Sequence, residues 1–398
     1  MTPRPEPWPG VPPGLTGDLP PHRTTHLAAR RAAEERQPDG EAVRDLLDDA
    51  VDAVDAPDAV FALSQDGHRT VRCGGTGPPP AVPRDQLRYE TGSASKTFTG
   101  LLLARLTQSG TLSAGEPAAT CLDPARRVGR DPVTLAHLIT HTSGLPALPA
   151  DFYLRALPTW RTDPYAAYPD ERVVDAFLRH RQHRRPGTRW HYSNFGVAVL
   201  GHALAAATAT PWDDLLGTQV LRPLGLTGTA LRPGGGPDTD ATGHRKDGTT
   251  PVPPLTVGGF QSAGAVRATP PDLLTFLEAH LNPPDRRPTD PDPSASPAAS
   301  VASVASSASD RSLADALRAV RRPVLRRGWG HRHVHTMAWF QHPTGHGPMY
   351  FHCGATLGQQ AFLGFRPDTG TAVAAVCTRR FRARDTFVAT AYALLAGM

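Results

Sequence analysis

Lysine is almost missing from this sequence. Of 42 lysines and arginines, only Lys96 and Lys246 are lysines. Arginine serves wherever a fixed positive charge suffices, because guanidinium stays protonated at any working pH. A lysine that persists against this bias is a candidate for the one task arginine cannot do, giving up a proton. Lys246 has no motif around it and reads as a chance survivor. Cysteine is scarce too: Cys73, Cys121, Cys353 and Cys377 are scattered, with no C-x-x-C pair, which excludes a small disulfide framework. The chain has no run of about 18 apolar residues, so no membrane span is expected. Residues 1–31 lack the apolar core of a signal peptide. The expectation is therefore a cytoplasmic protein with reduced thiols. Charge of one sign does not dominate either. The 42 basic residues are interleaved with 37 acidic ones, for a net charge of +5, so no nucleic-acid partner is indicated.

What is present is enough for one large domain, or two subdomains sharing a core: 398 residues, 39% of them apolar. Residues 1–40 are Pro-rich and polar and read as a disordered tail. Residues 283–309 are low-complexity Pro, Ala, Ser and Asp, and read as a disordered insertion. That stretch holds seven of the 16 serines, so serine is scarce elsewhere.

Between these segments the periodicity is informative. Residues 41–54 are an amphipathic helix. Residues 59–64 and 69–75 read as strands joined by the turn Gln-Asp-Gly-His. After Ser93 comes a helix whose Phe98, Leu101, Leu102 and Leu106 form a stripe at helical spacing, closed by Gly110. Helical patterns follow at 133–140, 171–180, 194–208, 212–218 and 270–281, the last opening with proline. The final third turns to strands at 335–340, 349–354, 359–365 and 370–378, of which the last three form an antiparallel meander. A terminal apolar helix at 384–397 needs a sheet to lie on. This order predicts an α+β fold: an antiparallel sheet flanked by helices and built from both chain ends, with a helical subdomain of about 97–250 inserted.

Three short motifs carry chemistry. Ser93-Ala94-Ser95-Lys96 is a Ser-x-x-Lys at a helix start, and one helical turn puts both side chains on one face. Serine needs a neighbouring base to become a nucleophile, and a helix N-terminus adds free backbone N–H groups. With two lysines and 16 serines in the chain, chance supplies roughly 0.08 such pairs. The bland alternative is a capping serine followed by a surface lysine. Tyr192-Ser193-Asn194 precedes a helix, where Ser193 and Asn194 have a capping role available. His352-Cys353-Gly354 ends a strand, where glycine lets another chain or a ligand approach. Alone, neither of these last two is specific.

Together, in this order, the three motifs resemble the active-site motifs of class C β-lactamases, DD-peptidases and related esterases. Further segments share the likeness: LAHLITHTSGLP (135–146), PGTRWHYSNFGVAVLG (186–201), RPLGLTGTAL (222–231), SAGAVRATPPDLLTFL (262–277) and HCGATLGQQAFLGFRPDTGTAVAAVCT (352–378). The resemblance runs from about residue 45 to the C-terminus, and it implies a β-lactamase/transpeptidase-like fold. It also implies that Ser93 becomes acylated, that Lys96 and Tyr192 act as base and proton shuttle, and that Asn194 orients Lys96 or a substrate amide. The N–H groups of Ser93 and Ala355 would form the oxyanion hole, with Gly354 beside them and His352 on the opposite wall. A cationic Lys96 near the phenol would favour phenolate at Tyr192.

One departure from the pattern bears on substrate. His352 stands where lactamases and DD-peptidases show lysine, and histidine is largely neutral near pH 7. That favours ester or amide substrates without a carboxylate over β-lactams and D-Ala-D-Ala peptides. A true β-lactamase or D-Ala-D-Ala carboxypeptidase remains an alternative, as does a non-catalytic sensor that binds an acyl group or peptide. Neither a cofactor nor a metal is implied: the alternating His331, His333 and His335 lack a Cys or carboxylate to complete a zinc spacing. Cys353 reads as a small buried thiol, and His141 as structural.

Overall fold

A computed structural model describes residues 40–283, 311–327, 333–345 and 347–398. The tail read at 1–40 and the insertion read at 283–309 fall almost wholly outside them. The chain opens with α1 (Gly40–Asp52), β1 (Ala59–Gln65) and β2 (His68–Gly74). A two-residue strand, β3 (Tyr89–Glu90), leads into α2 (Ser95–Gln108). Then come α3 (Ala118–Leu122), α4 (Leu135–Ile139), α5 (Phe152–Ala156), α6 (Asp170–Arg179), α7 (Asn194–Thr208) and α8 (Trp212–Leu216). Short strands β4 (Thr229–Ala230), β5 (Gly243–His244) and β6 (Pro251–Val252) precede α9 (Gln261–Gly264), β7 (Arg267–Ala268) and α10 (Pro270–Leu281). Residues 311–319 are helical (α11). The end is β8 (Leu325–Arg327), β9 (His333–His335), β10 (Phe340–Pro343), β11 (Pro348–Ala355), β12 (Gln360–Arg366), β13 (Thr371–Cys377) and α12 (Phe387–Gly397).

Eight strands form one antiparallel sheet in the order β2-β1-β13-β12-β11-β10-β9-β8. The N-terminal hairpin thus pairs with the last strand, Ala59 opposite Cys377. Side chains alternate across a strand, and the burial follows. Ala59, Phe61, Leu63, Phe351, Phe362, Val373 and Ala375 pack with α1 and α12 on one face. Val60, Ala62, Tyr350, Ala361, Leu363, Phe365 and Ala374 pack with α2, α10 and the middle helices on the other. Both faces are covered, which is why β12 and β13 are buried from end to end and read as continuous apolar runs.

One expected strand is corrected. Residues 335–340 are not a single strand: β9 and β10 are joined there by a tight turn, in which Thr336 N–H bonds the Trp339 carbonyl at 2.9 Å and Ala338 adopts φ +71°. Strand β8 and the small sheet β3-β7-β4 carry too few residues for a periodic signal. No single helix among the described residues is long and apolar enough to cross a membrane.

Candidate active site

Ser93 lies in a 3₁₀ turn, Gly92–Ala94, that runs directly into α2. Two glycines let the surrounding backbone close on it. Gly92 has φ +50°, a conformation that costs other residues a Cβ clash, and a Cβ there would stand 2.7 Å from the Ala355 carbonyl oxygen. A Cβ on Gly354 would stand 1.9 Å from the Thr91 oxygen and 2.8 Å from the Ser93 nitrogen. The glycine of the third motif therefore seats β11 against the serine turn, and brings the backbone of Ala355 beside that of Ser93. The turn is also tied from behind. Thr91 Oγ1 donates to the Val266 carbonyl at 2.9 Å, and Val266 N–H donates to Ser95 Oγ at 3.0 Å.

Lys96 and Tyr192 converge on the serine oxygen. Lys96 Nζ reaches Ser93 Oγ at 3.1 Å and donates to the Ala263 carbonyl at 2.8 Å. The Tyr192 hydroxyl donates to Ser93 Oγ at 2.8 Å, and its ring centroid lies 5.1 Å from Lys96 Nζ. Lys96 is 1% exposed. Burial pulls its pKa down to about 7, the sole cause acting on it. Burial pushes the Tyr192 phenol up, only partly offset by its bond to Ser93. This corrects the expected phenolate. Desolvation keeps the Tyr192 phenol protonated, and at pH 7 it leaves about half of the Lys96 amines neutral.

Ser193 and Asn194 divide the roles that the sequence left open. Ser193 caps α7, its Oγ accepting from Gly196 N–H at 2.8 Å. Asn194 is free to face the site. Its Nδ2 donates to the Tyr165 hydroxyl at 3.2 Å, while its buried Oδ1 has no partner. No bond joins it to Lys96, so of the two expected tasks only the substrate amide remains open. His141 steadies the second motif: its Nδ1 accepts from Ser193 N–H at 3.2 Å and its ring lies 4.5 Å from that of Tyr192.

His352 points to the same sheet face as Gly354, by strand alternation. It is 3% exposed, bonds the Cys353 carbonyl through Nδ1 at 2.8 Å and packs on Phe340. Burial first, then the neighbouring Lys96, pulls its pKa down to about 3. It makes no hydrogen bond to Lys96 or Tyr192. Cys353 sits on the opposite face, in the α1–α12 layer, with its thiol pushed up by burial. Of the alternating histidines, His331 lies outside the described residues. His335 accepts from Arg327 Nε at 3.0 Å. Among the described residues no three metal-binding side chains cluster.

A cavity of about 20 Å³ opens on Ser93, lined by Ala355, Asn194, Tyr165, Leu255, Val257 and Phe260 among others. Larger grooves of about 800 and 430 Å³ contain none of Ser93, Lys96, Tyr192 or His352. Tyr165, Val257 and Phe260 were invisible to motif reading, since they come from loops without periodicity.

The family model described as Beta-lactamase matches residues 43–398. The chain is similar to penicillin-binding protein 4 of Amycolatopsis lactamdurans, with 30% identity over 353 residues, 81% of this chain and 80% of that protein. It is 29% identical over 195 residues to the D-alanyl-D-alanine-carboxypeptidase/endopeptidase AmpH of Escherichia coli, 48% of each protein. Its match to Protein flp of Staphylococcus aureus is 27% identical over 207 residues and spans only 40% of that protein. Among solved structures, a class C beta-lactamase superposes with a TM-score of 0.71 at 19% identity, covering 91% of this chain and 98% of that one. A class C beta lactamase from Rhodobacter sphaeroides gives 0.66 at 22%, covering 89% and 98%. These likenesses in structure speak for the fold.

Proposed function

Because this chain belongs to the beta-lactamase family, we propose that it is a serine hydrolase that forms an acyl-enzyme on Ser93 and acts on ester or amide substrates. The observation that carries the reading is the convergence of Lys96 Nζ and the Tyr192 hydroxyl on Ser93 Oγ, at 3.1 and 2.8 Å, inside a buried site. Neutral Lys96 takes the serine proton, directly or through the Tyr192 phenol, as Oγ attacks the substrate carbonyl. The backbone N–H groups of Ser93 and Ala355 receive the developing oxyanion. The proton then passes from Lys96 and Tyr192 to the leaving alcohol or amine. Water, or another acceptor, releases the acyl group by the same path in reverse. Asn194 Oδ1, buried and unpaired, accepts an N–H of an amide substrate.

His352 decides the substrate preference. With its imidazole held neutral by burial, the third motif places no fixed cation at the wall, so uncharged short esters or amides are preferred to carboxylate-bearing substrates. The competing reading, a β-lactamase or D-Ala-D-Ala carboxypeptidase, draws support from the similarity to penicillin-binding protein 4 and AmpH. The test is kcat/KM for nitrocefin, a D-Ala-D-Ala peptide and p-nitrophenyl acetate on purified protein. Higher kcat/KM on p-nitrophenyl acetate supports the esterase. Higher values on nitrocefin or the peptide return the protein to the competing reading. An absence of covalent labelling by any serine-directed probe makes it a binding protein.

A further inference from the structure

Val257 combines two properties that a core valine does not have. It lines the cavity over Ser93, and its backbone sits at φ +60°. A β-branched residue in the left-handed region is a steric outlier, and such strain persists only where the surroundings over-determine the conformation. Here they do. On one side Leu255 N–H donates to Glu90 Oε1 at 2.8 Å, and Arg267 Nη2 holds the Leu255 carbonyl at 2.7 Å. Next to Val257, the N–H and hydroxyl of Thr256 both reach Asp163 Oδ2, at 2.8 and 2.5 Å. On the other side Gly259 N–H donates to the Tyr168 carbonyl at 2.8 Å, and Phe260 N–H to that of Val257 at 2.9 Å.

The result is a valine fixed in the wall of the cavity that opens on Ser93. Gly264 marks its reach: a Cβ built there would touch Val257 Cγ1 at 3.7 Å and the Gly92 oxygen at 4.0 Å. Lys96 and Tyr192, which handle the leaving group's proton, are not among the cavity's lining residues. On the acyl-serine reading, the leaving group departs on their side and the acyl substituent turns into the cavity. The room there for a water-sized group is only about 20 Å³, so the space over Ser93 is narrow.

We propose that Val257, pinned in a strained backbone conformation, is the wall that restricts Ser93 to short acyl groups. The inference rests on the acyl-serine reading above, and its test separates the two. Ser93 acylation is followed by intact mass and by kcat/KM for p-nitrophenyl esters from acetate to octanoate, in wild type, Val257→Gly and Val257→Ala. Wild type should favour acetate. Both variants should raise the octanoate-to-acetate ratio by about tenfold or more, as expected when methylenes gain room in an apolar pocket. Thermal stability supplies a second readout. Alanine normally exceeds glycine, but at φ +60° the order reverses, so Val257→Gly should melt above Val257→Ala. A flat chain-length profile in wild type, or an unchanged ratio in both variants, overturns the wall while leaving the serine hydrolase standing. Val257→Ala melting above Val257→Gly overturns the strain. No modification of Ser93 by any ester defeats the acyl-serine reading, and this proposal with it.

Discussion

Replacing Lys96 by arginine makes the cation permanent and removes the proton chemistry, so it isolates what the buried amine does. At a pKa of 10.5, about one amine in 3,000 is neutral at pH 7. At the value of about 7 that burial imposes, about half are neutral. The fold thus raises the population of competent base by roughly three orders of magnitude at pH 7. In wild type, log kcat/KM for p-nitrophenyl acetate should climb with pH through about 7 and then level. In Lys96→Arg that limb should vanish and the plateau fall by on the order of 10²-fold or more, as for loss of a general base. Lys246→Arg should leave both unchanged. Stopped-flow acylation over pH 5–9 makes the measurement. Lys96→Arg that keeps its rate and its ascending limb would refute the assignment of Lys96 as base, leaving it only an electrostatic task.

Four other outcomes follow from the same geometry. A fluorophosphonate probe should modify Ser93 alone, and Ser93→Ala should abolish both labelling and turnover; a modified peptide elsewhere in the tryptic map overturns the nucleophile. Lys96→Met should stabilise the protein most in acid. A folded-state pKa below the unfolded one means that wild-type stability rises between about pH 7 and 10.5, and that below pH 7 the buried ammonium costs on the order of 5 kcal/mol; a gain in Tm that does not shrink above pH 7 contradicts this. Gly354→Ala should lower stability by about 1–3 kcal/mol in urea unfolding and sharply reduce acylation, since its Cβ would enter the Thr91 carbonyl. His352→Lys should raise the nitrocefin-to-p-nitrophenyl acetate ratio of kcat/KM about tenfold; an equal fall on both substrates would show that His352 is only a hydrogen-bonding wall.

Legibility of this protein in its sequence follows periodicity and spacing. The flanking helices 41–54 and 384–397 and the closing meander were readable because each element is long enough to repeat its pattern. The break at 336–339 was not, because a turn built on Ala338 at φ +71° carries none of the usual Gly or Asn. Ser93 and Lys96 were readable because one helical turn fixes their relation within four residues. Tyr192 needed the order of motifs, being 99 positions from the serine it touches. Tyr165 and Val257 were beyond reach: one is placed by a bond to Asn194, the other by a web of loop hydrogen bonds, and neither leaves a local signature. The ionisation of the site was misread for a related reason. Sequence shows which charges are neighbours, but not how deeply they are buried, and here burial reverses the expected direction at Tyr192.

That reversal has a cause in what surrounds the amine. His141 and His352 both border Lys96, and both are pulled down by burial and then by the Lys96 charge. No carboxylate acts on Lys96. The buried Glu90 is spent on Arg267, at 2.8 Å, and on the Leu255 N–H. A proton on either histidine is therefore opposed by the low dielectric and by the Lys96 charge, and one on Lys96 by the low dielectric, with no carboxylate to hold it. At pH 7 about half of the Lys96 amines stay unprotonated, which is what a base requires. On the proposed mechanism, the tetrahedral oxyanion formed at Ser93 becomes the anion the group lacked, and the proton delivered to Lys96 gains a partner at the moment it arrives. The same burial that withholds charge from the free enzyme thus strengthens the attraction between ammonium and oxyanion in the transition state.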